Sequence, residues 1–409
     1  MTNKSAVVLV IDGLSARFLG PYANAWFGTE QFDRLAGQSM LAEFAFTDST
    51  DLLGSYQSLW GLEPKFSGLH EPTSDSLPEN ELFKRLGQQN IGSTLFTDDA
   101  ELGECESLVK QFDRVICNPS AAAETAAKSD GQTELATFFA SALDHTSRLA
   151  PGEIIWLHSK GLSGSWDAPY PLRCQFAADE DPDPPEFVTP PRDESDAGGL
   201  DPDELLGYQQ ACAAQIVLLD RFLGILLDQL ESIPAAERPF FVLTSTRGFP
   251  LGTNRFVGQP ENSLYDDATQ VPLFAQWPDQ RNAMQRNQSL IYSSAVGPLL
   301  LDWFGLAAVA ENKWIESPLA EREHEFILSA TGSGRALRTH GWKLIVEGDD
   351  DQRLFVKPDD RWDMNDVIRK CRNVGQELAE LAQTIESEIQ TQGQPALRKL
   401  PEELAVNWQ

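Results

Sequence analysis

The chain has 409 residues, enough for a sizeable core organised as one large domain with a smaller appendage. Its 62 acidic residues against 32 Lys and Arg give a formal net charge of −30. No basic cluster interrupts that field, so nucleic acid and anionic membranes are excluded as partners by repulsion over most of the surface.

The first element is AVVLVIDG, Ala6 to Gly13. Its unbroken apolar run predicts a strand buried on both faces of a parallel sheet, and it ends on Asp12. In open α/β sheets ligands collect beyond the carboxyl ends of the strands, which makes Asp12 a candidate binding residue. An Asp-Gly pair also ends strands for backbone reasons alone. Only five residues precede this strand, too few for a secretory leader, and no apolar run reaches membrane-spanning length. The expectation is a cytoplasmic protein. The five cysteines, Cys105, Cys117, Cys174, Cys212 and Cys371, form no C-x-x-C pair and read as reduced thiols.

Thr29 to Ser39 predicts a helix behind a Thr N-cap. Glu79 to Gln88 reads as helix and Ile91 to Thr97 as strand, closed by Asp98 and Asp99. Thr133 to Leu149 is an amphipathic helix that leads into the strand IIWLHS. Ala178 to Glu204, rich in Asp, Glu, Pro and Gly with Arg192 its only base, predicts a long surface loop. Asp203 to Ser232 is the longest helix, followed by the strand PFFVLTS (Pro239 to Ser245), a short strand at Val271 to Trp277 and a helix at Ala295 to Phe304. This alternation is that of a doubly wound α/β sheet. From about Leu319 the segments EFILSA, ALRT, WKLIVE and RLFV predict a small antiparallel sheet, and Gly375 to Thr391 a docked helix. The expected division is an α/β core over residues 1–318 and a C-terminal subdomain over 319–409.

Several segments recur in a meaningful order: VIDGLSARFLGPYAN, TEQFDRLAGQSMLAEFAF, IIWLHSKGLSGSWDAP, FFVLTSTRG, SLYDDATQVPLF, and ALRTHGWKLI followed by RLFV. Together they resemble the sulfatases of the alkaline phosphatase superfamily over nearly the whole chain. The resemblance implies that family's large, mostly parallel sheet flanked by helices, with a small C-terminal antiparallel sheet. It also implies cleavage of sulfate or phosphate esters by a nucleophile held with a divalent cation.

On the resemblance, Asp12 matches the first metal ligand and is the only matching one. The late "Ser-Asp-His/Asn-Gly" turn reads Ser245-Thr246-Arg247-Gly248, with a hydroxyl for the acid and a guanidinium, which cannot coordinate metal, for the neutral ligand. The nucleophile of "Cys/Ser-x-Pro-Ser-Arg", counted back from Gly61, falls on Asp51, with Ser49 and Thr50 adjacent and no Pro-Ser-Arg following. These three also suit a polar turn that caps a helix. The "Gly-Lys-Trp-His" segment reads Thr97-Asp98-Asp99-Ala100, and "His-x-Pro-Trp" reads Ser163-Gly164-Ser165-Trp166. His158 and Lys160 lie a few residues earlier, within reach of the same crevice, although a strand-end His also suits a hydrogen-bonded core position.

The leading expectation is a sulfatase-like protein without hydrolytic activity, whose crevice (Asp12, Thr246, Arg247) binds a small anionic ligand or a partner. No cofactor is then expected, and Arg247 should pair with Asp12 where the cation would sit. A second reading is an active sulfate or phosphate ester hydrolase that uses Thr50 or Asp51 with Asp12 and His158, and Ca²⁺ or another divalent cation. A third is a structural or assembly protein, defined by its oligomer.

Overall fold

Residues Ala6–Ile11 form strand β1, whose side chains alternate between two cores: Val7, Leu9 and Ile11 on one face, Ala6, Val8 and Val10 on the other. A strand buried on both faces has no polar side to present, which is why its sequence shows no alternation. The computed structural model describes residues 4–66, 80–191, 194–195, 201–254, 256–258, 263–306, 317–319, 324–332, 334–348, 351–396 and 398–406.

Around β1 lie β2 (Met40–Phe46), β3 (Gly92–Thr97), β4 (Arg114–Cys117), β5 (Glu153–Ser159), β6 (Phe240–Thr244), β7 (Leu273–Gln276) and β8 (Arg286–Tyr292). They make an eight-stranded sheet in the order β8-β2-β7-β6-β1-β5-β3-β4. All neighbours pair in parallel except β7, which runs antiparallel to both β2 and β6. A separate four-stranded antiparallel sheet follows: β9 (Ile327–Ala330), β10 (Gly334–Arg338), β11 (Trp342–Glu347) and β12 (Asp351–Val356). The Arg372–Gln392 helix lays Leu378, Ile385 and Ile389 on that sheet, in one core with Trp342, Leu344 and Leu354.

The Pro202–Ser232 helix is long and apolar enough to cross a bilayer, a length the sequence was not expected to reach. Most of that apolar stretch is buried, with Ile216, Leu219, Leu223 and Leu226 all inside the core, so it is the central helix of a packed layer. Its Asp220 carboxylate accepts the Gln31 and Phe32 backbone N–H groups, the first turn of the Glu30–Gln38 helix. Thr29, expected to cap that helix, instead accepts the Gly20 N–H at 2.8 Å. A tertiary cap has replaced the local one, since the orphan donors of a helix N-terminus take whichever acceptor is fixed nearby.

The acidic loop is only partly the exposed insertion expected. Val188, Pro190 and Pro191 are buried, and Arg173 donates to the carbonyls of Pro185, Phe187 and Trp166 from a fully buried position. Loop backbone cannot stay buried unless its carbonyls are satisfied, and one guanidinium satisfies three. Arg192 and Glu79 lie outside the described residues. The five cysteines are free thiols.

Candidate functional site

Asp12 stands at the carboxyl end of β1, 1% exposed, with its N–H extending the ladder to the Ser159 carbonyl at 2.9 Å. The chain from β5 turns tightly across it at Gly161 (φ +52°), where a Cβ would lie 2.5 Å from the Asp12 carbonyl oxygen. Only glycine meets both demands.

The turn after β6 closes the site from the other side. The Ser245 hydroxyl donates to the Arg247 carbonyl at 2.6 Å and accepts the Leu14 N–H, which fixes the turn against the end of β1. This aims both following side chains at Asp12. The Thr246 hydroxyl donates to Asp12 Oδ1; Arg247 Nε donates to Oδ1 and Nη2 to Oδ2, each at 3.1 Å. Arg247 Nη1 reaches the Thr50 carbonyl at 2.9 Å and ties in the segment after β2. Burial alone would push the Asp12 carboxyl up, but the Arg247 guanidinium, with smaller help from His158 and Ser163, holds it below the usual range. The expected pairing of Arg247 with Asp12 is the geometry found.

Ser49, Thr50 and Asp51 lie together where the Leu52–Gly61 helix begins. Asp51 caps it, accepting the Gly54 N–H at 2.6 Å, and Ser49 Oγ accepts the Asp51 N–H at 3.1 Å. His158, fully buried, does not reach these residues with a hydrogen bond: its Nδ1 bonds the Tyr56 hydroxyl at 2.6 Å, and its Nε2 lies 3.9 Å from Asp99. Trp156 Nε1 donates to the same Tyr56 oxygen at 3.4 Å, so the three side chains form one buried chain of hydrogen bonds. Lys160 meets Asp98 through its backbone N–H at 2.7 Å. Ser163 Oγ has no hydrogen-bond partner but stands near enough to Asp12 to favour its ionised form.

The crevice mouth is acidic. Burial raises Asp98 to about 6, and Asp99, also pushed up by burial, is drawn below the usual range by the facing His158 ring. Glu101 is raised by partial burial and then by Asp99 and Asp51, which gathers these acids near one another, with His158 and Lys160 acting on Asp99 as basic neighbours.

A divalent cation requires several oxygen donors around an open point. At Asp12 both carboxylate oxygens are engaged by Arg247 or Thr246, and a fixed positive charge stands beside them. Among the described residues, no three His, Cys, Asp or Glu side chains converge as a metal set. The residues present at Asp12 do not fit the family's cation.

Tyr56 and Trp156 were not singled out from sequence. The signal for Tyr56 was the spacing Leu52, Tyr56, Leu59, Trp60 behind the Asp51 cap, an apolar helical face that the polar run before it obscured.

The sheet order, the small C-terminal sheet and a site at the carboxyl end of the first strand together define the alkaline-phosphatase-like class of hydrolase fold. A profile of the sulfatase family matches residues 4–306, and the chain belongs to that family. Solved structures agree on the fold. A sulfatase-type protein of Bacteroides thetaiotaomicron is 18% identical with a TM-score of 0.72, over 95% of this chain and 92% of that one. The phosphonate monoester hydrolase of Agrobacterium radiobacter is 13% identical with a TM-score of 0.71, over 97% and 100%. A 2-O GAG sulfatase is 18% identical with a TM-score of 0.69, over 94% and 92%. No curated protein sequence matches the chain.

Proposed function

We propose that this member of the sulfatase family is a non-catalytic binding protein. The observation that carries the reading is the buried, bidentate Asp12–Arg247 pair at the end of the first strand. The neighbouring folds are named for hydrolysis of sulfate or phosphonate esters. Such hydrolysis needs an activated nucleophile and a stabilised leaving charge. Here Arg247 neutralises Asp12, and a second cation would have to displace a guanidinium bonded on three sides. Of the nucleophile candidates, Asp51 is engaged as a helix cap, and the candidate base His158 is engaged with Tyr56. The acids at the mouth also weigh against an anionic ester entering this crevice.

The test is turnover of aryl sulfate and aryl phosphate by purified protein, each with Ca²⁺, Mg²⁺, Mn²⁺ or Zn²⁺ supplied in turn. The reading expects rates at background throughout. Turnover that disappears in Thr50→Ala or Asp51→Asn would establish the hydrolase instead.

A further inference from the structure

A concavity bordered by two arginines lies away from the Asp12 crevice, where the segment after β1 meets the C-terminal subdomain. A cavity of about 180 Å³ opens there, bordered by Tyr22, Glu43, Phe44, Arg286, Arg361 and Trp362. At roughly 30 Å³ per water, that is room for a phosphate-sized group with part of its substituent. A shallower groove of about 540 Å³ adjoins it, sharing Glu43, Phe44 and Arg361 and adding Gln288, Ser289 and His340.

The two arginines come from distant parts of the chain, yet both line this cavity and anchor on adjacent carbonyls. Arg286, at the start of β8, donates through Nη2 to the Pro21 carbonyl at 2.8 Å; Arg361, in the turn after β12, donates through Nη1 to the next carbonyl, Tyr22, at 2.9 Å. Each guanidinium has five N–H donors, so anchoring by one leaves others to face the cavity. Arg361 also rests over the Trp362 ring, 5.9 Å from its centroid. Groups already held by the protein lose little further entropy when a ligand arrives. Glu43 is the one acid lining the cavity, 3.7 Å from Arg361, and offsets only one of the two charges.

We propose that this cavity is an oxyanion-binding site that takes a phosphate monoester with an aromatic or apolar substituent. The two guanidinia match the planar fork geometry that tetrahedral oxyanions accept. Trp362 and Phe44 offer the substituent apolar surface. The inference is independent of whether the Asp12 crevice hydrolyses anything.

The experiment is calorimetric titration at low ionic strength with inorganic phosphate and with phenyl phosphate. Both should bind saturably, phenyl phosphate several-fold more tightly. Arg286→Gln and Arg361→Gln should each weaken phenyl phosphate about tenfold, as expected when a charged hydrogen-bond donor is lost. Glu43→Gln should tighten it several-fold, a gain that misfolding cannot produce. Lys160→Ala, in the Asp12 crevice, should leave it unchanged. Absence of binding, indifference to both arginine variants, or loss of binding in Lys160→Ala would overturn the proposal.

Discussion

Two buried charged regions of this protein are built on opposite terms. Where the core meets the C-terminal sheet, Asp266 and Asp363 face Lys343 and Lys357, all four at most 2% exposed. Lys343 Nζ bridges Asp266 at 2.5 Å and Asp363 at 2.8 Å; Lys357 Nζ bridges the same two at 2.7 and 2.6 Å. Two cations each bridge the same two anions, and the third N–H of Lys357 is shared between the Asp360 and Arg361 carbonyls. In the Asp12 crevice the Arg247 pair stands beside Asp98, Asp99 and Glu101, and burial raises Asp98 and Glu101. Buried charge in which each cation bridges both anions reads as a clasp; charge left beside a single pair must be met by hydrogen bonds or by taking up protons.

The comparison breaks most easily at the clasp. Asp266→Ala leaves two buried ammonium groups sharing one carboxylate, and should cost about 5 kcal/mol, the upper end for breaking a buried pair. Urea unfolding measures it; a loss under about 1 kcal/mol would mean that water or a neighbour replaces Asp266 with ease. Arg247→Ala should cost less, about 3 kcal/mol, because Thr246 still bonds the stranded Asp12 and the crevice is nearer solvent. Adding Asp12→Asn to Arg247→Ala should recover part of the loss, since the uncompensated carboxylate is then gone. A double variant no better than the single one would show that Arg247 acts by packing alone.

The smallest effect concerns pH. Burial raises Asp98, Asp220 and Asp267 each to about 6, and Asp267 has neither oxygen hydrogen-bonded, with Arg17 no nearer than 3.7 Å. A carboxyl raised above its unfolded value binds protons more readily in the folded state. These groups therefore favour folding at low pH and withdraw that support as pH rises from about 4 to 6. Asp12 and Asp266 are held below the usual range, and their contribution is lost only as pH falls below about 4. The melting temperature should therefore peak on the acid side of neutrality, and Asp267→Asn should flatten the fall above it by a few degrees. An unchanged slope in Asp267→Asn would assign the effect to the overall charge of −30 instead.

Much of the architecture was legible because buried strands and amphipathic helices carry their own periodicity. β1, β5 and β6 stood out as apolar runs, and the long central helix fell within one residue of its expected start. What the sequence hid were features set by distant partners. The antiparallel direction of β7 depends on which strands flank it, and nothing in LFAQ encodes that. Edge strands β4 and β8 are half exposed, so their apolar signal is diluted. The Leu52–Gly61 helix was read only as a polar turn, its cap conspicuous and its apolar face not. The placing of Arg247 against Asp12 followed from the order of the segments and the cost of an unpaired buried acid. The shared bridging by Lys343 and Lys357 did not, because nothing in their local sequence marks those lysines as buried.

The central claim is that Arg247 stands where a cation would otherwise be held. Calorimetric titration of Ca²⁺ into the purified wild-type protein tests it most directly. The account predicts no saturable heat and no rise in melting temperature. A single saturable Ca²⁺ site that vanishes in Asp12→Asn would contradict it and return the crevice to hydrolytic chemistry.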